Sequence, residues 1–206
     1  QLLEAITAAI THLHCHGLIH SDIKPHNILY KINDDNTVLF KLCDFNIAQF
    51  CVTNGDNEDD TYATACYSCK EPRNICTDIY MLGATLFNTI IPGMDSSKIS
   101  LEYLEKQKES IVNKTDVNCF KILKLMMLPR KNRIYVNDIN KININRNDST
   151  KNANDIAKII DDISIDCERI DSNVAMMHNM AREYHNKYKT FYANPKNLNF
   201  RIDESA

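Results

Sequence analysis

The stretch Ile19–Phe45, IHSDIKPHNILYKINDDNTVLFKLCDF, decides how the rest of the chain is read. Two apolar, β-rich runs, Ile28 to Ile32 and Thr37 to Cys43, flank the tetrad Asn33–Asn36. Runs of this kind around an Asn/Asp cluster predict an antiparallel hairpin. Closure at 33–36 returns the start of the first strand and the end of the second to one end of the ladder. Asn27 and Asp44 stand at those two ends, so two oxygen ligands converge there.

Upstream, Leu2, Ile6, Ala9, Ile10 and Leu13 recur at helical spacing, and Gly17 follows where a helix C-cap would sit. Downstream, Gln49 to Asp60 is polar, and TNGDNEDD within it reads as an acidic loop. From Thr77 the segment TDIYMLGATLFNTIIPG is apolar on all faces, the pattern of a buried helix, and it stops at Pro92-Gly93. Leu101 to Ile111 and Asp116 to Leu128 predict two more helices, the second ended by Pro129, and a short one is expected over Val136 to Ile142. Beyond Asn143 a polar linker is expected, then a short helix from Asp155 to Ile163. A longer helix, Ser172 to Tyr192, carries one apolar seam suited to packing on its own domain. The chain therefore divides into a domain over 1–142 and a linker with a helical extension over 143–206.

The 206 residues, 44% hydrophobic and 25% charged, suit one globular domain with an appendage. A formal net charge of -3 argues against a nucleic-acid partner, which calls for a basic surface. No apolar run reaches the ~20 residues of a membrane span, so no membrane association is expected. Eight cysteines without regular spacing, several inside apolar runs, are expected to be reduced, placing the protein inside the cell, in the cytoplasm. His12 and His16 share a helix face but read as a solvated pair. Cys66 and Cys69 have the spacing of half a zinc site with no second half.

LIHSDIKPHNILY, Leu18 to Tyr30, resembles the catalytic loop of eukaryotic-type protein kinases, H-x-D-apolar-K-x-x-N followed by three apolar residues. CDFN stands where that family has D-F-G after a strand. ATACYSCKEP resembles G-T-x-x-Y-x-A-P-E and aligns Thr64, Tyr67 and Glu71; DIYMLG resembles D-x-W-S-x-G; LPRKNR resembles D-P-x-x-R. The ordered set covers Gln1 to Ile142 and implies a kinase-like C-terminal lobe. That fold is mainly α with a small β-hairpin, α+β in class.

The resemblance implies roles residue by residue. Asp22 would be the base that orients the substrate hydroxyl, and Lys24 would neutralise charge on the transferred phosphate, as in serine/threonine rather than tyrosine kinases. Asn27 and Asp44 would bind magnesium, Leu29 would floor the adenine of ATP, and Thr64 would support the base from the substrate loop. His20 and Phe45 resemble a packing pair, Glu71 and Arg133 a buried ion pair, and Asp78 the carboxylate that holds catalytic-loop amides. For Asp78, a helix N-cap role is the simpler reading of the residue by itself.

Ser21 replaces the arginine usual before the base, implying regulation that does not depend on a phosphorylated activation loop. Asn46 replaces the glycine of D-F-G, a residue expected to tolerate positive φ. Ala63 and Cys69-Lys70 replace Gly and Ala-Pro. Nothing resembles the glycine-rich loop, the strand lysine or its helix glutamate, so the N-terminal lobe is expected to be absent from this chain. The implied function is phosphoryl transfer from Mg-ATP to a protein hydroxyl by a serine/threonine kinase, with the isolated chain inactive. The alternative is a catalytically inactive kinase-lobe mimic or pseudokinase that binds and regulates a partner kinase.

Overall fold

The computed structural model describes residues 1–50, 64–69, 71, 73–147 and 150–167. Helix α1, Leu2–Cys15, lays Ile6, Ile10 and His14 on its buried face. It ends as the glycine predicts, since Gly17 takes φ 69. A two-residue strand β1, Leu18–Ile19, leads to the segment HSDIK, His20 to Lys24, and a 3-10 turn at Pro25–Asn27.

The hairpin forms as read: β2, Ile28–Ile32, pairs antiparallel with β3, Val38–Leu42, from Ile28 opposite Leu42 to Ile32 opposite Val38. Its turn places Asn36 at φ 63, and Asp35 accepts hydrogen bonds from both the amide and the hydroxyl of Thr37. Ile28, Phe40 and Leu42 share one face and pack on the core, whereas Leu29 on the other face is 57% exposed. Strand β4, Gln49–Phe50, pairs with β1. The first two residues of the expected polar loop are thus strand, a pairing too short to leave a pattern. The remainder, 51–60, lies outside the described residues.

Helix α2, Ile75–Ile90, starts two residues earlier than expected because Asn74 is its cap. The Asn74 side chain accepts from Cys76 N and the Thr77 hydroxyl from Asn74 N, a reciprocal box. Eleven of its residues are buried, as the all-round apolar pattern requires. The helix contributes Ile79, Met81 and Leu82 to one core cluster and Ala84 and Phe87 to a second. Gly83 allows α5, Val117–Met127, to approach: a Cβ at Gly83 would lie 2.9 Å from Met126 Cβ.

The helix expected over Leu101 to Ile111 is broken at Gln107 into α3, Leu101–Lys106, and α4, Lys108–Lys114. Helix α6, Val136–Asn147, runs on through the first residues of the expected linker. Helix α7, Ala153–Cys167, is longer than expected and packs back, with Ile156, Ile160 and Ile163 buried beside Ile139 and Ile142 of α6. The seam over 172–192 lies outside the described residues. Among the described residues no helix is long and apolar enough to cross a membrane.

Candidate functional site

Four of the expected site residues, Asp22, Lys24, Asn27 and Thr64, meet in one hydrogen-bonded ring. Lys24 Nζ donates to Asp22 Oδ2 at 2.8 Å and to Thr64 Oγ1 at 2.8 Å, and Thr64 Oγ1 donates to Asp22 Oδ1 at 2.9 Å. Asn27 Nδ2 donates to the Asp22 carbonyl and to Asp22 Oδ2 at 2.8 and 2.9 Å. Burial alone would raise the Asp22 carboxyl. The bonds from Lys24 and Thr64, the Lys24 charge and the Asn27 bond outweigh it and hold the group below its ordinary value. Asp22 is therefore ionised and oriented at neutral pH.

Local backbone explains how these side chains converge. The 3-10 turn brings Asn27, 5% exposed, back under Asp22. Thr64 reaches the ring from a segment forty-two residues further on. Asp44 lies one residue past the bond from Cys43 N to the Asn27 carbonyl, 2.9 Å, so the hairpin does bring Asn27 and Asp44 to one end. Asp44 is exposed and adopts φ 65.

Both Asn27 amide hydrogen bonds go to Asp22, so what Asn27 can offer a cation is its Oδ1. That oxygen and the Asp44 carboxylate are the hard donors magnesium prefers, and magnesium commonly takes only one or two protein carboxylates with water and phosphate completing its shell. The residues fit the ion. Elsewhere among the described residues, no group of three or more His, Cys, Asp or Glu could hold a metal ion, and His16 Nδ1 donates to the His12 carbonyl instead.

A second network anchors the ring from beneath. Asp78, fully buried, accepts from His20 N and Ser21 N at 2.9 Å each and from His14 Nε2 at 2.9 Å. Asn74 does the capping of α2, so the cap reading of Asp78 gives way to that of an anchor for loop amides. Ser21 is held at φ 68 with no exposure. His20 donates through Nε2 to the Cys43 carbonyl, and its ring lies 4.8 Å from that of Phe45. The positive φ expected at Asn46 occurs instead at Asp44, so the glycine replacement costs the turn no strain at that position.

Glu71 and Arg133 form the expected ion pair, 2.8 Å apart. Arg133 also donates to the carbonyls of Leu128 and Cys76 and lies 5.1 Å from the Tyr80 ring centre. Burial pulls the Glu71 carboxyl up, but the Arg130 amide and the Arg133 charge and hydrogen bond overcome that and lower it. Leu29 stands exposed beside the hairpin end and joins none of these networks.

Sequence reading missed His14, which completes Asp78, and Thr85, whose hydroxyl donates to the Ile23 carbonyl at 3.2 Å. His14 could have been found: it continues the four-residue spacing of Ile6 and Ile10 on the buried face of α1.

Comparison with known proteins agrees with this geometry. The profile described as the protein kinase domain matches residues 1–164. Ribosomal protein S6 kinase alpha-6 of Danio rerio is 32% identical over 98 residues, which is 43% of this chain and 13% of the relative. Calcium/calmodulin-dependent protein kinase type I of Schizosaccharomyces pombe is 30% identical over 79 residues, 38% of this chain and 22% of the relative. A probable serine/threonine-protein kinase, pXi, of Dictyostelium discoideum is 42% identical over 50 residues, 24% of this chain and 7% of the relative. The matched segments are thus less than a quarter of each relative's length. With the family profile running into α7 and the ring of Asp22, Lys24, Asn27 and Thr64 inside it, the chain belongs to the protein kinase family.

Proposed function

We propose that this chain carries the catalytic half of a serine/threonine kinase that transfers a phosphoryl group from Mg-ATP to a hydroxyl of a protein substrate. The observation that carries the reading is the closed ring on Asp22. A carboxylate held ionised by three neighbours is positioned to accept the hydrogen of a substrate hydroxyl and to orient its oxygen. Lys24, bonded at once to the base and to Thr64, keeps a positive charge beside the acceptor, where negative charge develops. Asn27 and Asp44 would hold magnesium, which supplies charge neutralisation to the phosphates when bound. Exposed Leu29 would lie under the adenine. Lys24 and the similarity to serine/threonine kinases favour an alcohol over a phenol as acceptor.

The test compares the full-length protein with its Asp22→Asn form, which preserves shape and removes the charge. Radiolabelled phosphate incorporation into a generic serine-containing substrate should fall by about 10²- to 10⁴-fold, with the unfolding midpoint little changed. Activity within tenfold of wild type would remove Asp22 from the role. A full-length protein that transfers no phosphate yet captures a kinase would favour the lobe-mimic reading.

A further inference from the structure

Helix α1 ends in HLHCHG, His12 to Gly17, and its three imidazoles have two separate tasks. His14 is buried and holds Asp78. His12 is exposed and His16, the C-cap residue, is half-buried; their ring centres lie 4.4 Å apart with the planes tilted by 45°. Residues four apart meet on one helix face, and by spacing alone such a pair reads as solvated. The hydrogen bonds at the helix end define it more closely.

The His16 amide goes to the Leu13 carbonyl and the Gly17 amide to the His14 carbonyl, at 2.9 Å each. The His12 carbonyl, which the His16 amide would otherwise reach, receives His16 Nδ1 at 2.7 Å. A carbonyl only accepts, so Nδ1 carries the hydrogen and, in the neutral ring, Nε2 carries the lone pair. A backbone carbonyl on one ring nitrogen is what orients a metal-ligating histidine and fixes its tautomer. The self-capping bond thus holds the His16 ring over His12 with its lone pair on the nitrogen that the backbone does not use.

The separation of the rings suits a shared ion. Zinc stands about 2.0–2.1 Å from an imidazole nitrogen, itself about 1 Å from its ring centre, so two rings on one tetrahedral ion have centres roughly 5 Å apart. A small rotation of the exposed His12 ring covers the difference from 4.4 Å. The carbonyl end of α1 adds a partial negative charge that favours a cation in the last turn. Cys15 is exposed but completes no triad, since among the described residues no group of three His, Cys, Asp or Glu is placed to hold a metal.

We infer that His12 and His16 form a two-imidazole site for a divalent ion of the zinc class, with water completing its shell. Imidazole nitrogen suits zinc, copper and nickel, whereas magnesium takes oxygen, so the site is chemically distinct from Asn27 and Asp44. The bound ion ties the last turn of α1 to its cap, two residues from the histidine that holds Asp78, and stabilises the folded chain. It does not depend on the kinase reading.

The experiment titrates full-length, fully reduced protein with zinc chloride and follows the histidine ring resonances by NMR, with thermal unfolding in parallel. Affinity is read from the His12 and His16 rings, so zinc on thiols elsewhere does not enter. Both rings should shift together while His14 and His20 hold still, and zinc should raise the unfolding midpoint. His12→Gln and His16→Asn should each weaken binding by at least about tenfold, because losing a ligand costs no less than losing the group that orients one. Cys15→Ser should leave affinity unchanged, and excess magnesium should not displace zinc. If His16→Asn disturbs the helix end, His12→Gln decides, because its side chain is exposed and the carbonyl that caps His16 is retained. Shifts confined to one ring, affinity unchanged in His12→Gln, affinity lost in Cys15→Ser, or displacement by magnesium would each overturn the assignment.

Discussion

Arg133 has a side chain only 1% exposed, yet it serves four groups: the Glu71 carboxylate, two backbone carbonyls and the face of Tyr80. Removing one member of such a pair leaves a desolvated charge without its partner, so Arg133→Ala should destabilise by about 3–5 kcal/mol in urea unfolding. Glu71 gives a pH signature. Its folded carboxyl is lowered, so the stability it contributes is present above its unfolded value, about 4.3, and fades as pH falls through the lower folded value. The difference in unfolding free energy between wild type and Glu71→Gln should therefore be constant near neutrality and shrink below about pH 4. A difference that grows on acidification would contradict the lowered carboxyl.

At this scale the sequence was informative where side chains act by type and unreadable where they act by distance. Asp22, Lys24 and Asn27 lie within six residues, so their motif could be recognised. His14 reaches Asp78 across sixty-four residues, and no local pattern announces such a contact. His14 was legible only as a buried-face position, not as a partner.

Elements were legible in proportion to their length and amphipathicity. The hairpin and α1 could be read because alternation and helical spacing repeat several times in each. The pairing of β1 with β4 involves two residues a side and leaves no period to detect. Helix α6 was cut short in the reading because ININRN is polar, yet the helix runs on to Asn147. Gly83 illustrates the limit. Alanine is the better helix former by about 1 kcal/mol, but its methyl would meet Met126 Cβ at 2.9 Å. Gly83→Ala should therefore destabilise by about 1–3 kcal/mol, measured by thermal unfolding. On α7, Ile160 is 1% exposed, so Ile160→Ala should cost about 2–4 kcal/mol, a loss that a loosely tethered appendage would not produce. At the hairpin turn, Asn36→Gly should be tolerated and Asn36→Val should cost about 1–2 kcal/mol, since only the former accepts φ 63 freely.

Across the whole molecule, α2 joins the two core clusters and at the same time holds, through Asp78, the loop amides of His20 and Ser21 next to Asp22. The most buried element thus anchors the loop that bears the Asp22 ring, while Leu29 and Phe45 remain exposed. The Asp78 anchor has a consequence for time rather than geometry. The amides of His20 and Ser21 end on a carboxylate with no exposure, in a helix shared by both clusters, so no local opening can release them separately from the core. In native-state hydrogen exchange these two loop amides should exchange as slowly as the centre of α2, with the free energy of global unfolding. Asp78→Asn should bring them down to the fast regime of an ordinary surface loop, turning a segment that now keeps time with the core into one that opens independently of it.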